Sequence, residues 1–160
     1  FNYLPFRLSA EPFSFSTELI TLLYLVYVMG IFMGPLSGRI SNRVGSGTTL
    51  IGGTLLLGGS VALTLLPSIG AIILGLLGLC AGFFAVHAAA VGSLNRRLSS
   101  GQGRANALYV LFYYVGGWCG ITASGYAYTR WGWDGVILLC LTLLILPFMA
   151  GLGERKDARG

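Results

Sequence analysis

A long charge-free run limits most strongly what this chain can fold into. Positions 44–95, which lie between Arg43 and Arg96, make 52 residues without an Asp, Glu, Lys or Arg. As one helix the run would be about 78 Å long, whereas the hydrocarbon core of a bilayer is about 30 Å thick. The run therefore predicts two membrane crossings separated by a turn at 67–70. Because backbone polar groups in lipid must pair internally, each crossing is predicted to be a helix.

Three shorter gaps of 20, 25 and 19 uncharged residues, at 19–38, 105–129 and 135–153, each fit one further helix. Charged residues make up only 9% of the chain and the mean hydropathy is +0.79, against about 25% charged residues in soluble domains. The predicted fold is an all-α membrane protein with five transmembrane helices and the end of a sixth. The predicted spans are 17–38, 47–66, 70–94, 105–128 and 134–152, with Ser16 or Thr17 as the first N-cap.

This organisation divides the chain into three parts. Residues 1–16 are predicted to be the end of a truncated helix and an external loop, residues 17–152 a five-helix transmembrane domain, and residues 153–160 a cytoplasmic tail. With five crossings, eight of the ten basic residues fall on one side of the membrane. These are Arg39, Arg43, Arg96, Arg97, Arg104, Arg155, Lys156 and Arg159. The positive-inside rule makes this side and the C-terminus cytoplasmic. The net charge of +5 is thus explained without a nucleic-acid partner.

Glycines recur at four-residue spacing within the spans, which is typical of closely packed membrane helices. The predicted packing positions are Gly30, Gly34, Gly78, Gly82, Gly116 and Gly120. An interfacial aromatic group is predicted at the outer end of the fourth span. It consists of Tyr126, Tyr128, Trp131 and Trp133. Arg130 and Asp134 are expected to form an exposed ion pair beside it.

His87 is the one strongly titratable residue inside a predicted span. It lies nine residues before Arg96, about 14 Å along the helix and near the bilayer centre. Helical spacing places Phe83 and Phe84 beside it on the preceding turn. An ionisable group at this depth suggests a proton relay or a polar contact with a solute. The alternative is a neutral imidazole that bonds to a neighbouring helix and only serves packing.

Asn106, Tyr109 and Tyr113 fall on one face of the fourth span. They offer an amide and two phenols to a cavity, and His87 is a candidate partner for a buried phenol. Tyr27 of the first span likewise offers a phenol to a cavity. In each case the alternative is that the side chain fills space between helices.

The sequence motifs of known intramembrane hydrolases are missing from this sequence. Ser124 lacks the Gly-x-Ser-Gly context of intramembrane serine proteases, and a single His cannot supply a His-Glu-x-x-His zinc site. No enzyme activity, metal or cofactor is therefore expected. A non-transporting scaffold or receptor remains an alternative function, and an intramembrane hydrolase is a more distant one.

The segment after the first span reads Gly-Arg-Ile-Ser-Asn-Arg-Val-Gly over 38–45. It resembles the Gly-x-x-x-Asp-Arg-x-Gly cytoplasmic loop of the major facilitator superfamily, with Asn42 in place of the Asp. The matching positions are Gly38, Arg39, Asn42, Arg43 and Gly45. Residues 82–87, 105–109, 113–117 and 130–133 resemble the drug-efflux and arabinose-efflux-like permeases of that superfamily.

The resemblance implies the C-terminal six-helix half of a permease bundle, with the five spans as helices eight to twelve. It also implies a missing N-terminal half as partner, with a central site to which both halves contribute and about which they rock. His87, on helix ten, would line the cavity. The expected function is proton-linked export of small organic solutes across a cell membrane, with the bacterial inner membrane as the expected location.

Overall fold

The computed structural model describes residues 2–157, and all of the regular structure in that part of the chain is helical. Phe1 and residues 158–160, including Arg159, lie outside the described residues. Seven α-helices follow in order, and a 3-10 segment at Tyr24–Val28 joins the second to the third. They are α1 (Leu4–Ser9), α2 (Thr17–Leu23), α3 (Met29–Val44), α4 (Ser46–Leu63), α5 (Ile69–Arg96), α6 (Gln102–Leu143) and α7 (Ile145–Asp157). Ser16 caps α2, as predicted, by accepting the backbone N–H of Leu19 at 3.4 Å.

Four stretches are long and apolar enough to cross a membrane: Thr17–Val44, Ser46–Leu63, Ile69–Arg96 and Gln102–Asp157. The last has 56 residues and would measure about 84 Å as one helix, enough for two crossings. It is broken at Gly132, whose φ of 63° and ψ of −152° are not helical. Glycine tolerates this conformation because it has no Cβ. The chain therefore provides the five predicted crossings.

The connection between the last two crossings is much shorter than predicted. Helical geometry extends on both sides of Gly132, whereas the predicted spans are separated by a non-helical link at 129–133. The predicted ion pair between Arg130 and Asp134 is wrong, because every ion pair of the described residues involves Arg97. Gly132 lies between the two residues and removes the regular helical spacing that would have placed them on one face.

The predicted loop at 38–45 also needs correction. Helix α3 continues through Val44, and the chain leaves helical geometry only at Gly45, with φ of 86°. Ser41 is buried on this extension, as is Ser37 just before it, and Ser41 Oγ lies 3.3 Å from Ser46 Oγ at the start of α4. The motif residues Gly38, Arg39, Asn42 and Arg43 thus occupy the last turns of α3 rather than a loop.

Helix α5 lies at the centre of the fold and packs against α3 and α4. Where α4 crosses α5, a Cβ on Gly82 would lie 2.9 Å from the carbonyl oxygen of Gly53 and 2.8 Å from Leu57 Cγ. Of the other predicted packing glycines, Gly30 and Gly34 meet Phe84, and Gly78 meets Ser60. A Cβ on Gly116 or Gly120 would meet no described atom within 4 Å, so their packing role stays a prediction.

The two ends of the bundle differ in character. At one, here called the basic end, Arg96 and Arg155 line a cleft with Asn42 at the end of α3. Arg96 donates to Ser46, and Ser93 donates to Glu154. Arg97 bonds both Glu154 and Asp157 at 2.8 Å. At the opposite end, Arg7 donates to the carbonyl of Leu65 at 3.0 Å. The described arginines of the predicted clusters after the first, third and fifth spans thus share one end.

Candidate functional site

The candidate site is built around His87 in the middle of α5. Its ring nitrogen Nδ1 lies 2.9 Å from the phenol oxygen of Tyr109 on α6. The phenol donates this bond when Nδ1 carries no hydrogen and accepts it when Nδ1 is protonated. The sequence predicts His87 as a candidate partner for a phenol of this helix, and the structure identifies that phenol as Tyr109.

Aromatic rings surround the imidazole on both helices. Phe83 stacks on it with ring centroids 5.8 Å apart, and Tyr113 meets it edge-on at 5.7 Å. Phe83 and Tyr113 are themselves 6.2 Å apart. His87 therefore lies among one phenyl and two phenol rings. Helical spacing places Phe83 beside His87, but the sequence predicted only Phe84 as a pathway residue.

Phe84 points away from this cluster. A Cβ on Gly30 would lie 2.7 Å from Phe84 Cε2, which shows how closely the ring covers that glycine. The ring contacts Phe83 edge-on at 5.4 Å. Phe84 thus packs α5 against the first crossing and holds Phe83 in position.

Asn106 makes a different contact from the one its helical face suggested. It exchanges two hydrogen bonds with Asn95 of α5: Asn95 Nδ2 donates at 3.2 Å and Asn106 Nδ2 at 3.0 Å. Asn95 also donates to the carbonyl of Val91 at 2.9 Å. Asn95 is a polar residue that the sequence reading missed, and its position in the last turn of α5 gave no sign of this pairing. The amide pair joins α5 to α6 on the side of His87 nearer the basic end.

Tyr27 reaches the site from the first crossing. It lies on the 3-10 segment, where its ring stacks on Tyr24 at 6.0 Å and 8°. Its phenol lies near Tyr113 and Cys80. The first crossing thereby adds a phenol to the surface formed by α5 and α6.

The site is an open face rather than a closed cavity. His87 and Tyr109 are half-buried, whereas Phe83, Tyr113 and Tyr27 are 39%, 44% and 51% exposed. Donors, acceptors and aromatic rings lie side by side on this face, with the His87 imidazole among them.

These features define a multi-pass helical membrane protein with a polar aromatic face at mid-depth. A sequence profile described as "Major Facilitator Superfamily" matches residues 2–157. The chain belongs to this superfamily, and its extent fits the C-terminal half of a permease.

Similar proteins are transporters from bacteria. An uncharacterized transporter of Buchnera aphidicola subsp. Schizaphis graminum is 30% identical over 156 residues, which cover 98% of this chain and 38% of the relative. The inner membrane transport protein YnfM of Escherichia coli is 31% identical over 94% of this chain and 36% of its own length. The MFS-type transporter YybF of Bacillus subtilis is 27% identical over 98% of this chain and 39% of its own length.

The chain thus spans somewhat more than a third of the length of these relatives. No solved structure matches it significantly.

Proposed function

We propose that this chain is the C-terminal half of a proton-coupled secondary transporter that exports small organic solutes by alternating access. The observation that carries the proposal is the hydrogen bond between His87 and Tyr109 at mid-span. Ionisable groups at this depth are rare because their charged form is costly in lipid, and they commonly lie on solute or proton pathways.

The exposure of the site supports the proposal that a second half of the permease contributes to the same site. Phe83, Tyr113 and Tyr27 form a surface on which polar and aromatic groups face outward from this chain. A matching N-terminal half would close this surface into a central cavity, with sites at the interface between repeats as in other secondary transporters. His87, Tyr109, Tyr113 and Tyr27 are the proposed pathway residues, whereas Phe84 and Asn106 would hold the helices that carry them.

The proposed location is a bacterial inner membrane, with the basic end and the C-terminus in the cytoplasm. The arginine-rich end and the inner-membrane relative YnfM support this assignment.

The test is solute flux by the full-length permease in inside-out vesicles, with radiolabelled arabinose and ethidium as probes. Uptake of at least one probe is expected to fall when nigericin collapses the pH gradient. His87→Ala is expected to abolish the gradient-dependent part. Gradient-independent uptake in the wild type would contradict proton coupling, and full activity of His87→Ala would remove this residue from the pathway.

A further inference from the structure

Three contacts join α5 to α6 along one side of each helix. They are the Phe83–Tyr113 ring contact at 6.2 Å, the His87–Tyr109 hydrogen bond at 2.9 Å and the reciprocal hydrogen bonds of Asn95 and Asn106 at 3.0 and 3.2 Å. Within each helix the three residues are spaced by three, four or eight positions, which keeps them on one face. Of these contacts, the amide pair lies nearest to the turn at 97–101 that connects the two helices.

Asn95 is tied to its own helix as well as to α6. Its Nδ2 group donates one hydrogen bond to the backbone carbonyl of Val91 at 2.9 Å and one to Asn106 Oδ1, so both amide hydrogens are used. Its Oδ1 accepts the bond from Asn106 Nδ2. The amide of Asn95 therefore has a fixed orientation, in which it presents a donor and an acceptor to α6 together.

A reciprocal pair restricts the partner helix more than a single hydrogen bond does. Asn106 must offer its oxygen and its nitrogen to Asn95 at the same time, which fixes how α6 is rotated about its own axis at this level. Tyr109 follows Asn106 by three residues, less than one helical turn, and therefore turns with it. For a side-chain tip about 6 Å from the axis, a rotation of about 30° would move the tip by about 3 Å, the length of a hydrogen bond.

The surroundings of the pair favour keeping it intact. Both amides are half-buried, and within a helical bundle in lipid little water is available to replace a lost partner. Asparagine side chains carry no titratable proton, so the pair keeps its bonds while His87 gains or loses a proton. The pair can therefore hold α5 and α6 in one register in both protonation states of the imidazole.

We propose that Asn95 is a positioning residue for His87. Through Asn106 it fixes the rotation of α6 and thereby holds the phenol of Tyr109 against Nδ1 of the imidazole. The effect on flux rests on the proposed transport function, whereas the effect on the imidazole depends only on the contacts between α5 and α6.

The experiment records nitrogen NMR spectra of the full-length permease, isotope-labelled at its histidine nitrogens, in lipid nanodiscs at alkaline pH. The His87 signals are those missing from His87→Ala, and Tyr109→Phe gives the position of the Nδ1 signal without the phenol. Asn95→Ala and Asn106→Ala are each expected to shift the Nδ1 signal towards that position and to lower gradient-driven flux about fivefold, which corresponds to about 1 kcal/mol. The double variant is expected to lose no more than either single variant, because one missing amide already breaks the pair.

Gln102→Ala is the matched control. It removes an exposed amide at the start of α6 that bonds within the turn, to the carbonyl of Leu98 at 3.3 Å. Neither the His87 signal nor the flux is expected to change. Because Asn106→Ala breaks the amide pair from the other helix, the test does not depend on the folding of Asn95→Ala.

Four outcomes would overturn the proposal. They are an unchanged His87 signal in both asparagine variants, an unchanged signal in Tyr109→Phe, an additive loss of flux in the double variant, and an equal change in Gln102→Ala. A shifted signal with undiminished flux would instead support positioning by Asn95 and contradict the proposed role of His87 in transport.

Discussion

The 2.9 Å contact between His87 and Tyr109 has a consequence for the chemistry of the imidazole. Tyr109 occupies Nδ1, and no described residue hydrogen-bonds to Nε2. We therefore expect Nε2 to be the nitrogen that contacts the solute or exchanges a proton in the proposed transport cycle. The stacked ring of Phe83 and the edge-on ring of Tyr113 hold the imidazole plane in this orientation.

Tyr109→Phe removes the phenol and leaves the ring in place. Loss of a neutral hydrogen bond of about 1 kcal/mol is expected to lower gradient-driven flux about fivefold, less than His87→Ala does. The measurement is initial uptake in inside-out vesicles. Tyr128→Phe is the matched control, since Tyr128 stacks on Tyr3 near the opposite end. Equal loss in both variants would mean that the phenol at 109 has no special role.

Single residues also show where sequence reasoning fails. Depth and helical spacing were enough to propose that His87 meets a phenol, because both follow from position along a helix. The side to which Phe84 turns and the pairing of Asn106 with Asn95 depend on which helix stands opposite. Spacing within one helix carries no information about that neighbour.

Among the helices, α4 and α5 approach each other closely where Gly53 meets Gly82. Their backbones pass so near that a Cβ on Gly82 would lie 3.0 Å from Leu57 N as well as 2.9 Å from Gly53 O. Neither backbone atom can move without shifting a helix. The small residue at this position therefore sets the distance between α4 and α5.

Gly82→Ala is expected to destabilise the protein by about 1–3 kcal/mol, because the added methyl group overpacks the crossing. Gly52→Ala is the control: it lies on the exposed side of α4, where a Cβ meets no described atom within 4 Å. Its expected effect is neutral or a stabilisation of up to about 1 kcal/mol from helix propensity. The measurement is the midpoint of thermal unfolding of the purified full-length permease. Equal midpoints for both variants would contradict the close crossing.

The end of α7 is attached to α5 through Glu154, which accepts from both Ser93 and Arg97. The carboxylates of Asp157 and Glu154 raise the pKa of Arg97 further above its ordinary value, and both accept hydrogen bonds from its guanidinium.

Glu154→Gln is expected to speed amide hydrogen exchange in α7, since the glutamine keeps the shape but loses the charge. Asp157→Asn should have a smaller effect, because Asp157 is 65% exposed and Glu154 only 23%. Hydrogen exchange followed by mass spectrometry would compare the two. A larger effect of Asp157→Asn would show that α7 is held elsewhere.

Helix ends were predicted less well than helices, and for one reason. Charged residues mark where a span leaves the hydrocarbon, whereas a helix ends where its geometry is interrupted. Helix α3 therefore continues past Arg39 and Arg43 to Gly45, and the last two crossings meet at Gly132 alone.

Across the whole molecule, charge separates the two ends of the bundle. The ends of α3, α5 and α7 bring arginines together at the basic end, whereas Arg7 and Trp133 lie at the other, with the guanidinium 6.0 Å from the indole ring. This asymmetry underlies the proposed orientation.

The orientation is testable with one introduced cysteine in a background without Cys80, Cys119 and Cys140. Ser100→Cys, in the turn between α5 and α6, is expected to resist an impermeant maleimide in intact cells and to react in inside-out vesicles. Ser14→Cys, in the connection between α1 and α2, is the control and should react in intact cells. The reverse pattern would show that the basic end faces outward.

The sequence by itself determined that the chain lies in a membrane and crosses it five times. Those conclusions follow from the free energy of moving charges and backbone groups into lipid, which sums along the chain and needs no knowledge of neighbours. The tertiary structure decided which rings surround His87, which glycines are in contact, and that Asn95 bonds to Asn106. Such features depend on how helices cross, and a crossing is set by side chains distant in sequence that meet only when the bundle has formed.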